Sequence, residues 1–402
     1  MINQQISTGT AHRVRPARSI RDWISNEARD LIRPETRLIL KTSILKIKEN
    51  IDRTCLWRWM ISATSRDGNE PYKFVYIGRR STQNQAMAQF FRSTSKHYIA
   101  GAEPLTKSAC PIFIGDFPMP GSLRVPVDAH AVIALNRSLK EIAVPYGDNL
   151  RRTIKQQHSL SEVRHLNNMV EVDRADQDML RPYAASRYGP DAAQIGESVV
   201  RQMALQHGRL DAVYQNGEPV SCHLAYASVR GKKKYWNSMR FGFSKAVFED
   251  TKRLRAINSI NIQLAVEWAI AHKFDYFDIG MSLAQPDDGL LPWKRRRGGQ
   301  LDSSLTHSYF HVRLPRKGVA QFLWNSPLFD DKSGSLALHF GLPAHITDEE
   351  ALSRYNEMGF GGLTTVCIHH ARPLTETLLK AFQKLFCDHV REPIFKTVLV
   401  VS

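Results

Sequence analysis

Three cations stand together at Lys252, Arg253 and Arg255, just ahead of a stretch whose apolar spacing predicts a helix over 258–273. A helix N-terminus leaves backbone N–H groups without partners and carries a partial positive charge. Beside those cations, the N–H groups at Asn258, Ser259 and Ile260 could hold a pyrophosphate or a tRNA end, the plain alternative being a solvated basic loop. Asp278 alternates with Phe277 and Ile279 in the strand-like segment 276–280, which turns it to the opposite face from them. It is a candidate general base if burial raises its pKa, or else a structural partner for Arg or Lys. Tyr183 and Arg187, four apart on one helical face, could line an acceptor cleft, or be a packed Tyr beside a surface Arg. Tyr235 and Ser238 lie on the basic strand 232–242, where they would flank a donor, with Ser238 as a hydrogen-bond donor.

The elements that must position these residues form one unit: strand 232–242, a Lys- and Arg-rich loop over 243–255, the helix 258–273, strand 276–280 and a polar elbow at 293–299. Ahead of it, Asn216-Gly217 supplies the two positive-φ residues of a two-residue hairpin turn between strands 211–215 and 218–228. Gly231-Lys232 makes the next reversal. Helices are expected over 179–188 and 191–206, broken at Tyr188-Gly189-Pro190. Further back, a basic helix fits 147–157 with Asp148 or Asn149 as N-cap. Strands fit 37–41, 43–47, 55–63, 72–77, 111–117, 123–127 and 162–166, with helices over 19–31 and 82–98. Beyond Pro315 a helix over 375–389 and a β-like end at 397–401 are the clearest signals.

The 55 Lys and Arg against 39 Asp and Glu give a formal charge of +16, which favours polyanions or anionic surfaces as partners, or marks only a basic soluble protein. At 402 residues and 43% apolar content the chain can bury two or three cores. Its five Cys are scattered, without C-x-x-C or Cys/His ligand spacing, as in cytosolic usage. The start of the chain lacks the apolar stretch of a secretory signal, and no run approaches the ~18 apolar residues of a membrane span, so a cytoplasmic location without a membrane span is expected. The histidines show no H-E-x-x-H spacing and no G-x-S-x-G elbow accompanies them, against a metal site or a serine triad.

The order and spacing of Tyr183-Ala184-Ala185-Ser186-Arg187-Tyr188-Gly189, the Asn216-Gly217 hairpin, Phe241-Gly242, Trp268-Ala269, Tyr276-Phe277-Asp278-Ile279-Gly280 and Lys294-Arg295-Arg296-Arg297-Gly298 resemble the GNAT acyltransferase superfamily. More narrowly, they resemble its branch of Fem-type aminoacyltransferases and CelD-like proteins. The resemblance spans about residues 150 to 315, with a weaker likeness of layout over 36–150. Arg297 departs from the aromatic that usually precedes the closing glycine of the lysine motif. The resemblance implies an α/β fold with mixed sheets in tandem GNAT-like domains: a basic extension over 1–35, an N-terminal domain over 36–155, the acyltransferase domain over 156–330 and an extension over 331–402.

It also implies transfer of an acyl group from acyl-CoA, a co-substrate and not a bound cofactor, to an amine or hydroxyl of a small-molecule, glycan or peptide acceptor. Transfer would be direct, in a ternary complex, since no Cys falls within 232–301. Lys294 matches the motif's lysine and would neutralise charge on the tetrahedral intermediate or on a donor phosphate, while Arg295, Arg296 and Arg297 divide between ligand and solvent, Arg296 being taken as a substrate contact. Aminoacyl-tRNA is the other donor and would account for the positive charge. The rival from another class is a non-catalytic nucleic-acid-binding protein on a degenerate GNAT fold.

Overall fold

A computed structural model of the protein describes residues 60–65, 72–78, 99–100, 112–189, 195–286, 289–315, 317–332, 334–386 and 394–399, with Thr82, Ala86, Gln89 and Phe90, all within one compact unit, Lys48–Ser402. The elements expected over 19–31, 37–41 and 43–47, and the extension 1–35, lie outside the described residues. The fold is α/β with mixed sheets. In chain order the first strands are β1 (Met60–Ser65), β2 (Tyr72–Ile77), β3 (Ile99–Ala100), β4 (Ile112–Gly115), β5 (Leu123–Pro126) and β6 (Asp128–Ala134). After β7 (Glu162–His165) come β8 (Gly208–Gln215), β9 (Glu218–Arg230), β10 (Lys233–Phe243), β11 (Tyr276–Leu283), β12 (Gln300–Asp302) and β13 (Tyr309–Arg313). The last four are β14 (Leu328–Lys332), β15 (Ser335–Leu342), β16 (Leu363–His370) and β17 (Ile394–Leu399).

They form sheets of six, seven and four strands in the orders β3-β1-β2-β4-β13-β5, β12-β6-β11-β10-β9-β8-β7 and β14-β15-β16-β17. Sheet membership does not follow the divisions expected at 155 and 330. β6 precedes residue 155 yet pairs with β11 in the seven-stranded sheet, β13 returns to the six-stranded one, and β14 straddles residue 330. Strand β6 was not expected at all. Only Val127 separates it from β5, so the two read as a single segment ending there.

The helices that matter here are α1 (Leu139–Ile142), α2 (Asp148–His158), α3 (Met169–Ala175), α4 (Arg181–Tyr188), α5 (Glu197–Gln202), α6 (Lys245–Phe248), α7 (Thr251–Ala271), α8 (Leu290–Arg295), α9 (Val319–Asn325), α10 (Asp348–Met358) and α11 (Glu376–Phe386). Gly147, not Asp148 or Asn149, is the N-cap of α2. The loop expected over 243–255 contains α6 and the first turn of α7. That helix starts at Thr251 because Asp250 caps it, its carboxylate accepting from the N–H groups of Lys252 and Arg253.

The hairpin at Asn216-Gly217 forms as the dipeptide dictates, with φ of 53° and 82° and Gln215 opposite Glu218. From β10 the chain crosses through α7 into β11, which runs parallel to β10. Trp236, Phe277 and Ile279 turn to α7 and pack with Ile262, Val266 and Ala269. The two strands pair only at Tyr235 with Tyr276, Trp236 with Phe277 and Asn237 with Asp278. Beyond that, β10 bulges between Ser238 and Arg240, β11 loses register with β6 between Asp278 and Met281, and the strands part.

Candidate active site where two strands part

Asp278 sits at the last paired position of β11, on the face away from α7, and is 1% exposed. One carboxylate oxygen accepts from Arg230 Nη2 at 2.6 Å and lies 2.8 Å from His130 Nδ1; the other accepts from the Gly280 N–H at 2.8 Å. Arg230, at the end of β9, also donates to Asn237 Oδ1 at 2.6 Å, stands 3.3 Å from Asp302 and lies over the Tyr235 ring at 4.0 Å. The Asn237 amide donates to Ser228 Oγ and the Tyr226 carbonyl, so the cluster is tied across β9, β10 and β11, with His130 and Asp302 arriving from β6 and β12.

Burial alone would raise the Asp278 pKa. The hydrogen bonds and charges of His130 and Arg230 outweigh it and hold the carboxyl below its ordinary value. The raised pKa that a general base requires is therefore absent, and the expectation of Asp278 as that base is corrected. An anionic Asp278 facing Nδ1 fixes the proton on that nitrogen and leaves Nε2 of His130 as an acceptor. His130 keeps a side-chain exposure of 19% and can meet a ligand, whereas Asp278 is sealed.

Ser238, on the bulge of β10, places its hydroxyl 3.0 Å from His223 Nε2. The pair has nucleophile–base spacing, but burial lowers the His223 pKa to about 3 and the ring is stacked on Phe241 at 4.5 Å, so it is too weak a base to activate Ser238. Lys294 is buried on α8 and donates to the Gly280 carbonyl at 2.6 Å. Gly280, at φ 90°, is thus held by Asp278 through its N–H and by Lys294 through its carbonyl.

The cationic run divides differently from the expectation. Arg296 alone is exposed; Arg295 donates to the Asn356 and Gly359 carbonyls, and Arg297 is buried, donating to Trp293 O and Ser259 Oγ. Tyr235 is buried, stacked on Tyr276 at 4.9 Å, with its pKa pushed up to about 12 by burial first. It joins the Asp278 cluster. Tyr183 accepts from Arg187 at 2.9 Å, the i,i+4 contact the sequence suggests, but its ring packs edge-on against Phe243 in a separate core.

Lys252, Arg253 and Arg255 are exposed on the first turn of α7. The N–H groups of Lys252 and Arg253 are taken by Asp250, and Asn258 and Ser259 lie inside the helix, so the free N–H groups expected at 258–260 do not exist. Ser259 instead bonds Arg255 O and receives Arg297. The sequence reading missed His130, Arg230, Asn237 and Asp302. A usable signal was present: an Asp between apolar neighbours on a strand needs polar partners on the flanking strands, and the hairpin register brings Arg230 and Asn237 into its reach.

Among the described residues no group of three or more His, Cys, Asp or Glu is placed to hold a metal ion, and no helix is long and apolar enough to cross a membrane. The chain is thus an α/β protein with mixed sheets and a buried carboxylate–histidine pair where two parallel strands part. No protein-family profile matches it, and no curated protein does. Among solved structures it is similar to FemX, at 13% identity and TM-score 0.36, over 69% of this chain and 93% of that one. It is also similar to the C-terminal domain of a putative lysylphosphatidylglycerol synthetase from Agrobacterium fabrum, at 11% identity and TM-score 0.32, over 68% and 92%. L-PGS from Bacillus licheniformis stands at 12% and 0.35, over 66% and 84%.

Proposed function

We propose that the protein is a GNAT-type acyltransferase that moves an acyl group from acyl-CoA to an amine, with His130 as the general base. The observation that carries this reading is the His130–Asp278 pair, 2.8 Å apart, beside the opening between β10 and β11. In the step envisaged, His130 Nε2 takes a proton from the acceptor amine as its nitrogen attacks the thioester carbonyl carbon. The C–N bond forms, the C–S bond breaks, and the leaving thiolate receives the proton from the imidazolium. Asp278, held anionic by Arg230, stabilises that imidazolium. Lys294 acts through Gly280, fixing the turn that holds Asp278 in place, and Ser238 and Tyr235 line the approach.

The exposed cations Lys252, Arg253 and Arg255 are the reading's donor-phosphate contacts, acting as side chains and not through a helix N-terminus. Tyr183, Arg187 and Arg296 remain candidate acceptor contacts. Donor class is tested by thermal stability with free CoA, a panel of acyl-CoAs, and charged and uncharged tRNA at two salt concentrations. A donor at 100 times its Kd stabilises by about 2.7 kcal/mol. Stabilisation by acyl-CoA that Lys252→Ala/Arg253→Ala abolishes is the expected result. Stabilisation by charged tRNA alone would replace acyl-CoA with aminoacyl-tRNA, and tRNA binding indifferent to charging would favour a nucleic-acid-binding protein.

A further inference from the structure

We propose that the acceptor taken by this site is a cationic amine with an apolar body, its ammonium met by Asp128 and its body laid on Met281 and Leu283; this rests on the reading of His130 as the general base. Past the point where β11 loses register with β6, Met281 stands opposite His130 and Leu283 opposite Asp128. Residues opposite one another in an antiparallel pair share a face of the sheet, with Cβ atoms about 5 Å apart, and residues two apart on one strand share it too. Asp128, His130, Met281 and Leu283 therefore form one patch, on the face where Asp278 meets His130.

The patch is open. Met281 is 60% exposed and Leu283 41%, while Ala129, Ser282 and Ala284, which point the other way from the same two strands, are buried. Isolated apolar side chains on a surface are ordinary, but these two are neighbours and adjoin the ring that would take the acceptor's proton. An apolar wall at that place suits the carbon skeleton of a substrate.

Asp128 supplies the charge. Asp278 and Asp302 are both engaged by Arg230, whereas among the described residues no Lys, Arg or His nitrogen lies within 4.0 Å of the Asp128 carboxylate. Burial raises its pKa, with His130 pulling the other way, and an ammonium beside it would lower it again. In a chain of formal charge +16, a carboxylate without a cation two residues from the base is a local exception, complementary to an amine that arrives protonated. That ammonium gives one proton to solvent to become the nucleophile, and the second goes to His130 on attack.

The test reads equilibrium binding to the full-length protein, with no donor present, by ligand-observed NMR titration at pH 7. The probes are hexylamine, diglycolamine, which is a polar amine of matching length, and hexanol, which lacks the charge. The proposal expects saturable binding of hexylamine, tighter than either of the others by about tenfold or more. Met281→Gln, on an exposed side chain, should weaken hexylamine by about threefold or more and leave diglycolamine unchanged. Asp128→Asn should weaken both amines and leave hexanol unchanged, and Lys252→Ala/Arg253→Ala should change none of the three. Hexylamine bound no more tightly than diglycolamine, or bound as tightly after Met281→Gln or Asp128→Asn, would overturn the proposal. Transfer to the same two amines is followed separately. Binding as expected with no transfer from any donor would sink the acyltransferase reading and leave the amine site standing, while equal kcat/KM for the two amines would keep that reading and overturn this one.

Discussion

Arg230 is the residue on which the site's electrostatics depend. Its guanidinium is the cation between Asp278 and Asp302, both largely buried, and its side chain is 11% exposed. Removing one partner of a buried pair leaves the other charge uncompensated, typically at about 3–5 kcal/mol. Arg230→Ala should lower stability by that order, read as a shift in the urea midpoint, whereas Arg296→Ala on the exposed surface should not. Histidine burial gives a second expectation at this scale. Folding keeps His223 neutral to about pH 3 and His369 to about pH 4, while the unfolded chain protonates both near pH 6.5.

Stability from each is therefore present above about pH 6.5 and lost as pH falls toward its folded value, by roughly 2–3 kcal/mol between pH 6.5 and pH 4.5. His339 works the other way. Burial lowers its pKa, but Asp330 and Cys367 raise it further, so its contribution is lost as pH rises through the folded value. Urea midpoints at pH 7 and pH 4.5 should differ in wild type, and differ less in His223→Gln.

At the scale of elements, the parting of β10 and β11 rests on an interrupted register and on Gly280, while the third sheet rests on a close approach. A Cβ on Gly341 would stand 1.9 Å from the Ala320 carbonyl of α9. Gly341→Ala must push α9 off β15 and should cost about 2–3 kcal/mol, measurable by urea unfolding. Where local chemistry decides the element, the sequence was legible: Asn216-Gly217, the break at Gly189, and the β10–α7–β11 crossover all stand. The start of α7 was misplaced because Asp250 was not read as a cap. Strands β15 and β16 were missed for a different reason. They pair in parallel and are buried on both faces over most of their length, so buried polar residues such as His339, His369 and His370 fall among the apolar ones and the alternation that marks a half-buried strand is lacking.

Across the whole molecule, the three sheets share cores in a way no linear division conveys. Ala129, Ala131, Leu291 and Leu301 of the central region pack in one cluster with Phe340, Tyr355, Ile368 and Phe382 of the C-terminal one. Deleting 327–402 should therefore leave a chain that binds ANS and lacks near-UV ellipticity, in place of a trimmed but native fold. The candidate site was half legible for the same reason. Asp278, Lys294, Ser238 and Tyr235 lie on the contiguous segment that local patterning reveals, but His130 reaches Asp278 across 148 residues by way of a sheet crossing. The most direct test is the single-turnover rate of acyl transfer from acyl-CoA donors to an amine panel, followed by mass spectrometry, for wild type and His130→Gln. The account predicts transfer by wild type and a rate lower by about 10²–10⁴ in the variant, with donor-induced stabilisation unchanged; an undiminished rate in His130→Gln, or no transfer by wild type from any donor it binds, would contradict it.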